Sequence, residues 1–375
     1  MTPLDQERLQ QALDLATSAI GNTEPNPRVG CVIGREDGRL LGCGATQQAG
    51  GPHAEVMALR DAAAQGSDLH GATAWVTLEP CAHFGRTPPC CDALVAAGLA
   101  RVVVALQDPY PQVAGAGLAR LRAAGLQVDM ADAATAAKAW DLNIGFFSRV
   151  LRQRPWLRLK VAASLDGRTA LENGQSQWIT SEAARADGHV WRKRASAVLT
   201  GIGTVLADNP RLDVRLVPSS WQPLRVVVDS SLRTPPTARL LSAPGRALLV
   251  CALPPASILA QLVYPENAEI VSFRNDDNGR VDLRQLMAEL ARRGVNELHV
   301  EAGAKLNGAL AEAGLVDEWL IYLAPKLLGA GRGMVELTQL TNLAQAPTLR
   351  VLETCTLGDD IRLRLRRADD NLEAP

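Results

Sequence analysis

The spacing His53-Ala54-Glu55, then Pro80-Cys81, then eight residues, then Cys90 limits what this chain can become more than any other feature in it. A histidine and two cysteines are three borderline-soft ligands, which suit a tetrahedral zinc ion with its fourth position left for water. Helical patterns begin at Ala54 and at Cys91, the second just after Pro88-Pro89, and Cys81 follows a strand-like run. The fold must therefore bring two helix N-termini and one strand end to a point, where amide dipoles favour thiolate and hydroxide over their protonated forms. An open coordination position implies chemistry, and Glu55 stands two residues from the ligand histidine.

Around that set the chain alternates strand and helix patterns. Strands are expected at 29–33, 74–78, 101–106 and 126–130, and helices at 54–64, 91–97 and 118–124. Thr2-Pro3-Leu4-Asp5 reads as a helix cap with proline in the first turn, followed by Leu9, Ala12, Leu13 and Ala16 at helical spacing. Such alternation predicts a layered α/β domain. A helix from Ala133 to Phe147 gives way to Arg-rich 148–154 and Pro155, so a boundary is expected near residue 150, with domains 1–149 and 150–375. A length of 375 residues also calls for two domains. The second half restarts with strands at 156–163, 197–200, 224–229, 247–251, 297–301 and 318–323. Helices are expected at 182–193, 283–293 and 306–313, and a hairpin at 349–353 and 361–365.

Charge and cysteine content narrow the function classes. Thirty-nine Lys+Arg against 40 Asp+Glu leave a formal charge of -1, which offers no broad footprint to nucleic acid or an anionic membrane. Seven scattered cysteines are no disulfide framework and imply a reducing, cytoplasmic setting. The N-terminal stretch does not read as a signal peptide, and no run approaches a membrane span.

In zinc nucleobase deaminases a ligand histidine, one residue and then glutamate precede a Pro-Cys element, and the glutamate shuttles protons. The usual pattern puts two residues between the cysteines, where this chain has eight. Two plainer readings stay open on the residues alone: a structural zinc completed by Cys91, and thiols that never meet in space. Cys31 and Cys43 lie in apolar, strand-like surroundings and are expected as core thiols.

His53-Ala-Glu55 followed by Thr77-Leu-Glu79-Pro-Cys81-Ala-His83-Phe-Gly85-Arg86-Thr-Pro-Pro-Cys90 closely resembles the deaminase half of the bifunctional bacterial riboflavin-biosynthesis enzymes, where the eight-residue gap is a family feature. Asn26-Pro27-Arg28-Val29-Gly30 resembles that family's early substrate-binding loop; Arg28 departs from the pattern, and sequence gives it no role. In the second half, Ala163-Ser-Leu-Asp-Gly-Arg-Thr-Ala170, Ser176-Gln-Trp-Ile-Thr180, Thr204-Val-Leu-Ala-Asp208-Asn-Pro210 and Val300-Glu301-Ala-Gly303 extend the resemblance over nearly the whole chain.

The resemblance implies a cytidine-deaminase-like three-layer α/β/α domain followed by a dihydrofolate-reductase-like α/β domain. It implies zinc-dependent deamination of 2,5-diamino-6-(ribosylamino)-4(3H)-pyrimidinone 5'-phosphate, then NADPH-dependent reduction of the ribosyl group. His53, Cys81 and Cys90 are then zinc ligands, Glu55 the proton shuttle, and Asn26, His83 and Arg86 substrate contacts. The cofactor contacts it implies are Ala162, Trp178, Thr204, Asp208, Ser230 and a loop of Gly303, Ala304, Lys305, Leu306, Asn307, Gly308 and Ala309. Its substrate contacts are Ser176, Arg192, Leu212, Arg215 and Glu301, with Arg192 and Arg215 suited to clamp a phosphate.

Plainer roles compete: His83 and Arg86 as loop braces, Trp178 as core, Asp208 as a turn residue. No proton donor stands out in the second half. A nucleic-acid deaminase with an accessory domain, and a non-catalytic protein with structural zinc, are the competing functions. Homo-oligomerisation is the expectation for such an enzyme.

Overall fold

The computed structural model describes residues 1–82, 88–110, 114–254, 263–275 and 279–368. The chain divides into two compact units, Met1–Arg152 and a second that begins at Gln153.

The first unit runs α1 (Pro3–Ser18), β1 (Gly30–Gly34), β2 (Leu40–Ala45), α2 (Ala54–Ala64), β3 (Thr73–Val76), α3 (Cys90–Ala96), β4 (Arg101–Val104), α4 (Ala116–Ala123), β5 (Gln127–Met130) and α5 (Ala133–Arg152). Its sheet has the order β2-β1-β3-β4-β5, with β3, β4 and β5 parallel and β1 antiparallel to both neighbours. Thr2 and Asp5 close a reciprocal capping box at the start of α1. Asp5 also accepts from Trp75 Nε1 and from Arg101, which ties the helix start to the sheet. Helix α1 packs on β1–β3 and α5, while α2 packs on β1, β2 and α3.

Two glycines let the helices approach this closely. A Cβ at Gly30 would lie 1.9 Å from the Ala12 carbonyl oxygen of α1, and one at Gly44 would lie 2.5 Å from Met57 Cβ of α2. The glycines of β2 also explain why that strand is missing from the sequence expectation, since they dilute its side-chain alternation. Cys31 is fully buried as expected, whereas Cys43 is half-buried and its N–H is held by Asp61. Helix α5 continues to Arg152, so most of the Arg-rich stretch expected as a linker is helix. Arg149 and Arg152 sit in its last turn, where cations suit the exposed carbonyls.

The second unit runs β6 (Trp156–Ser164), β7 (Arg168–Leu171), α6 (Glu182–Arg194), β8 (Ala197–Gly201), α7 (Ile202–Asp208), β9 (Leu224–Val228), α8 (Arg239–Ser242), β10 (Ala247–Cys251), β11 (Ala268–Ser272), β12 (Arg274–Asn275), β13 (Arg280–Val281), α9 (Leu283–Arg292), β14 (Glu297–Val300), α10 (Ala304–Glu312), β15 (Glu318–Ala324), β16 (Gly331–Gly333), β17 (Leu349–Leu357) and β18 (Asp360–Arg367). Its main sheet has the order β11-β10-β9-β8-β14-β6-β15-β18-β17. The strands from β11 to β15 in that order are parallel, and the β17–β18 hairpin closes one edge antiparallel.

One face of this sheet buries Leu157, Leu159, Val161, Leu298 and Val300 in an apolar core. The residues between them form a charged layer on the other face. Arg158, fully buried, bonds Glu297 at 2.7 Å and Glu318 at 2.5 Å, and lies 4.4 Å over the Trp191 ring of α6. Arg194 adds to Glu297, and Arg364 and Arg366 add to Glu318. Burial would raise the Glu318 carboxyl, but Arg158 and Arg364 override it and hold it far below its ordinary value.

Replacing Glu318 with leucine leaves three guanidinium groups without their shared partner and is expected to cost about 3–5 kcal/mol of stability, read by denaturant unfolding. Because the folded-state value is depressed, this contribution is complete at neutral pH and is lost only as pH falls below about 4.

Candidate functional site

The metal set assembles as its spacing requires. His53 occupies the N-cap position of α2 with extended backbone and makes no side-chain capping bond, so its imidazole is available to other partners. Nδ1 of His53 lies 3.6 Å from Cys81 Sγ and 3.3 Å from Cys90 Sγ, and the Cys90 N–H donates to Cys81 Sγ at 3.3 Å. The ligand atoms of His53, Cys81 and Cys90 all lie within 4.8 Å of one another. The Cys90 thiol, with His53 and the Cys90 amide, brings the Cys81 thiol down to about 4, while Cys90 is pushed up by that same bond and by burial. Two thiolates this close ionise together only around a cation, so the donor set fits zinc.

Glu55, in the first turn of α2, is 3% exposed, and burial pushes its carboxyl up to about 7. A carboxyl poised near neutrality can both take and return a proton. Cys91 points away: its Sγ donates to the Pro80 and Gly117 carbonyls, and burial pushes it up to about 12. That geometry overturns both plainer readings, since the three thiol and imidazole ligands do meet and Cys91 does not complete them.

Arg28, left without a role by the sequence, is buried at 3% exposure and anchors the Asn26 loop to α5. Its N–H and C=O both bond the Asn143 side chain, at 2.7 and 2.9 Å. Its guanidinium donates to the Leu142 carbonyl and pairs with Glu24 at 3.0 Å. Asn26 itself is half-buried, at the end of the sheet where β1 begins beside the end of β3. If Asn26 touches substrate, Arg28→Met should raise the KM for deamination about tenfold with little change in kcat, read by steady-state ammonia release. His83 and Arg86 lie outside the described residues.

Glu79 is a residue the sequence reading passed over. Its carboxylate accepts backbone N–H bonds from Asp108, Gly115, Gly117 and Leu118, and so pins the loop that opens α4 to the strand end carrying Cys81. A distant carboxylate capping a helix has no local signature.

In the second unit the named residues gather at the C-terminal ends of the parallel strands, where ligands bind in open α/β sheets. Gly201 and Gly303 are the N-caps of α7 and α10, which follow the adjacent strands β8 and β14. A Cβ on Gly201 would lie 3.2 Å from Leu306, so the two helix starts sit side by side, an arrangement that suits phosphate groups. Thr204 and Asp208 are four residues apart on α7, on one face.

The segment expected as a loop from Gly303 to Ala309 is helical from Ala304, because Gly303 already serves as the N-cap. Only its first turn, Ala304 and Lys305, precedes the helix's own amide bonds at Leu306 and Asn307. Asn307 is buried with its side chain on the Met334 carbonyl, a Cβ on Gly308 would strike the Glu336 carbonyl, and Ala309 lies further along the same helix. Trp178 is 62% exposed, with Arg185 stacked 4.4 Å over its ring, so it is not core. Ala162 and Ser176 are half-buried, and Ser230 Oγ accepts from the Val281 N–H.

Arg192 grips both oxygens of Glu301 through Nε and Nη2 and donates from Nη1 to the Asp213 carbonyl at 3.1 Å. Arg215 pairs with the Asp213 carboxylate at 2.9 Å, so the two arginines meet around one residue. Leu212 is buried and its backbone is left-handed, at φ 55°. Lys160, which sequence reasoning did not single out, lies 3.9 Å from Glu301 and 5.5 Å over the Tyr322 ring. Burial lowers its ammonium from the ordinary lysine value, against the pull of Glu301.

Residues 155–363 match the family described as RibD C-terminal domain, and residues 3–106 match the cytidine and deoxycytidylate deaminase zinc-binding region. The riboflavin biosynthesis protein RibD of Escherichia coli (strain K12) is 46% identical over 374 residues, which cover 96% of this chain and 99% of that protein. Its counterpart from Haemophilus influenzae is 44% identical over 370 residues, covering 95% of each. Acinetobacter baumannii RibD superposes with a TM-score of 0.85 at 42% identity, covering 97% of this chain and 99% of its own. A diaminohydroxyphosphoribosylaminopyrimidine deaminase/5-amino-6-(5-phosphoribosylamino)uracil reductase from Thermotoga maritima does so with a TM-score of 0.87 at 31% identity and the same coverage.

Proposed function

The chain belongs to the RibD family of bifunctional riboflavin-biosynthesis proteins, and from that membership we propose how its residues divide two consecutive reactions. It is a zinc-dependent deaminase and an NADPH-dependent reductase. Water and 2,5-diamino-6-(ribosylamino)-4(3H)-pyrimidinone 5'-phosphate give ammonia and the deaminated pyrimidine; reduction of the ribosyl group then gives 5-amino-6-(ribitylamino)uracil 5'-phosphate. We assign deamination to residues 1–149 and reduction to 150–375.

The observation that carries the deaminase assignment is the meeting of three ligand atoms beside a buried glutamate. His53, Cys81 and Cys90 would hold the zinc, which would supply a polarised water. Glu55 takes a proton from that water and delivers it to the departing amino group. Asn26, with His83 and Arg86, binds the pyrimidine or its phosphate.

In the reductase half, NADPH would supply hydride to C1' of the ribose, which keeps its bond to the amino nitrogen while its bond to the ring oxygen breaks. The paired starts of α7 and α10 would receive its phosphates, with Thr204, Asp208, Ala162, Trp178 and Ser230 as further contacts. Glu301, Arg192, Arg215, Ser176 and Leu212 border the substrate. Lys160 supplies the proton to the departing ring oxygen, which becomes a ribityl hydroxyl, a task that its lowered ammonium suits.

A net charge of -1 favours a small phosphorylated substrate over a polynucleotide. Among the described residues no helix is long and apolar enough to cross a membrane. With its seven free cysteines, the protein is assigned to the cytoplasm, as a homo-oligomer.

The test is ammonia release from the diaminopyrimidine phosphate without NADPH, followed by NADPH oxidation that depends on the deaminated product. No ammonia from folded, zinc-replete protein would overturn the substrate assignment.

A further inference from the structure

The charged face of β14 carries Glu297, His299 and then Glu301 just beyond the strand end, at every second position. Glu297 has Arg158 and Arg194, and Glu301 has Arg192 and Lys160. His299, between them, is fully buried, and among the described residues neither ring nitrogen has a hydrogen-bond partner. A buried imidazole without partners costs stability that a leucine would not, so its presence at mid-sheet calls for a reason. Its Nε2 lies 3.5 Å from Glu301 Oε1, roughly half an ångström beyond a good hydrogen bond.

The groups around the ring settle its charge. Arg158 faces it from β6, Arg192 from α6, and Glu301 from the end of its own strand. Burial lowers its pKa from the ordinary histidine value and outweighs the opposing pull of Glu301, with the two arginines adding to the lowering, so the ring is neutral near pH 7 and carries one proton. Directed at Glu301, that proton makes Nε2 a donor held beneath the carboxylate.

The fork of Arg192 occupies both oxygens of Glu301, yet the assignment above also sets Arg192 against the substrate. A two-donor grip on substrate competes with this fork, because Nε and one Nη2 N–H hold Glu301 and one Nη1 N–H holds the Asp213 carbonyl. We propose that His299 is a positioning residue for the reduction: when Arg192 turns toward the substrate, Nε2–H of His299 closes on Glu301 and keeps that carboxylate in place. The inference rests on Glu301 being a substrate contact, and the experiment separates the two.

Three variants decide it in the intact zinc enzyme, with ammonia release as an internal control and NADPH oxidation on the deaminated product as the readout. Glutamine places an amide N–H near the position of Nε2, asparagine reaches only as far as Nδ1, and leucine packs well but donates nothing. His299→Gln should keep kcat/KM for reduction within about twofold of the parent, while His299→Leu and His299→Asn lose about tenfold, and all three release ammonia normally. Without its donor, Glu301 should also titrate higher, moving the acid limb of the reduction profile to higher pH in His299→Leu. A packing role predicts the reverse order, with leucine best.

Glu301→Gln is run alongside. Full reduction by His299→Leu together with loss in Glu301→Gln would overturn the inference alone. Full reduction by Glu301→Gln would overturn the assignment of Glu301 and the inference with it.

Discussion

Replacing Glu55 with glutamine is expected to slow ammonia release by about 10²–10⁴-fold while one zinc per chain remains bound. The amide keeps the shape of the side chain and leaves His53, Cys81 and Cys90 untouched, so the metal set has no reason to disperse. What disappears is a group that can hold and return a proton, a role for which burial has already tuned the native carboxyl. The check is zinc content by metal analysis beside steady-state ammonia release, with reduction of supplied deaminated product as the control. Ammonia release within about tenfold of the parent would assign the proton transfer to another group.

The second large effect is expected on the other reaction. Lys160→Met keeps the aliphatic stem across the Tyr322 ring but removes the ammonium, and NADPH oxidation should fall by about 10²-fold or more through kcat. NADPH should still bind, read by fluorescence titration, because the paired helix starts proposed to receive its phosphates are intact. A proton donor must enter the step protonated. Reduction in the parent should therefore decline as pH rises through the lowered Lys160 value, a limb the methionine variant lacks. A methionine variant that matched the parent would remove Lys160 from the chemistry.

These two residues differ in how they could be found. Glu55 and its three zinc neighbours were legible because their chemistry lies in short spacings, and a helix beginning at Ala54 brings the residues just before and after its start to a common point. Lys160 was not legible. Alternation of Leu157, Leu159 and Val161 with Arg158 and Lys160 reads as a half-exposed strand, whereas the polar side is sealed under α6 by carboxylates that lie well over a hundred residues away. Periodicity identifies which residues share a face but not whether that face meets water.

The glycines of β2 hid a strand for the opposite reason: the missing side chains that weaken the pattern are what let α2 settle on the sheet. Arg28 looked arbitrary because its partners Leu142 and Asn143 lie on a helix at the far end of the unit's sequence. The helix expected from 306 begins two residues earlier, at Ala304, because a glycine N-cap resembles a turn until the helix behind it is seen.

Glu79 deserves a last consequence. Four amides from Asp108, Gly115, Gly117 and Leu118 end on a single carboxylate two residues before a metal ligand. Exchange with deuterated water at those four positions is then governed by one opening event, because releasing any of them by local motion means parting the loop from the same two oxygens. The four amides and the Cys81 strand end are therefore expected to exchange as one cooperative unit, so that tightening the metal set slows the clock of a helix start that holds none of its ligands.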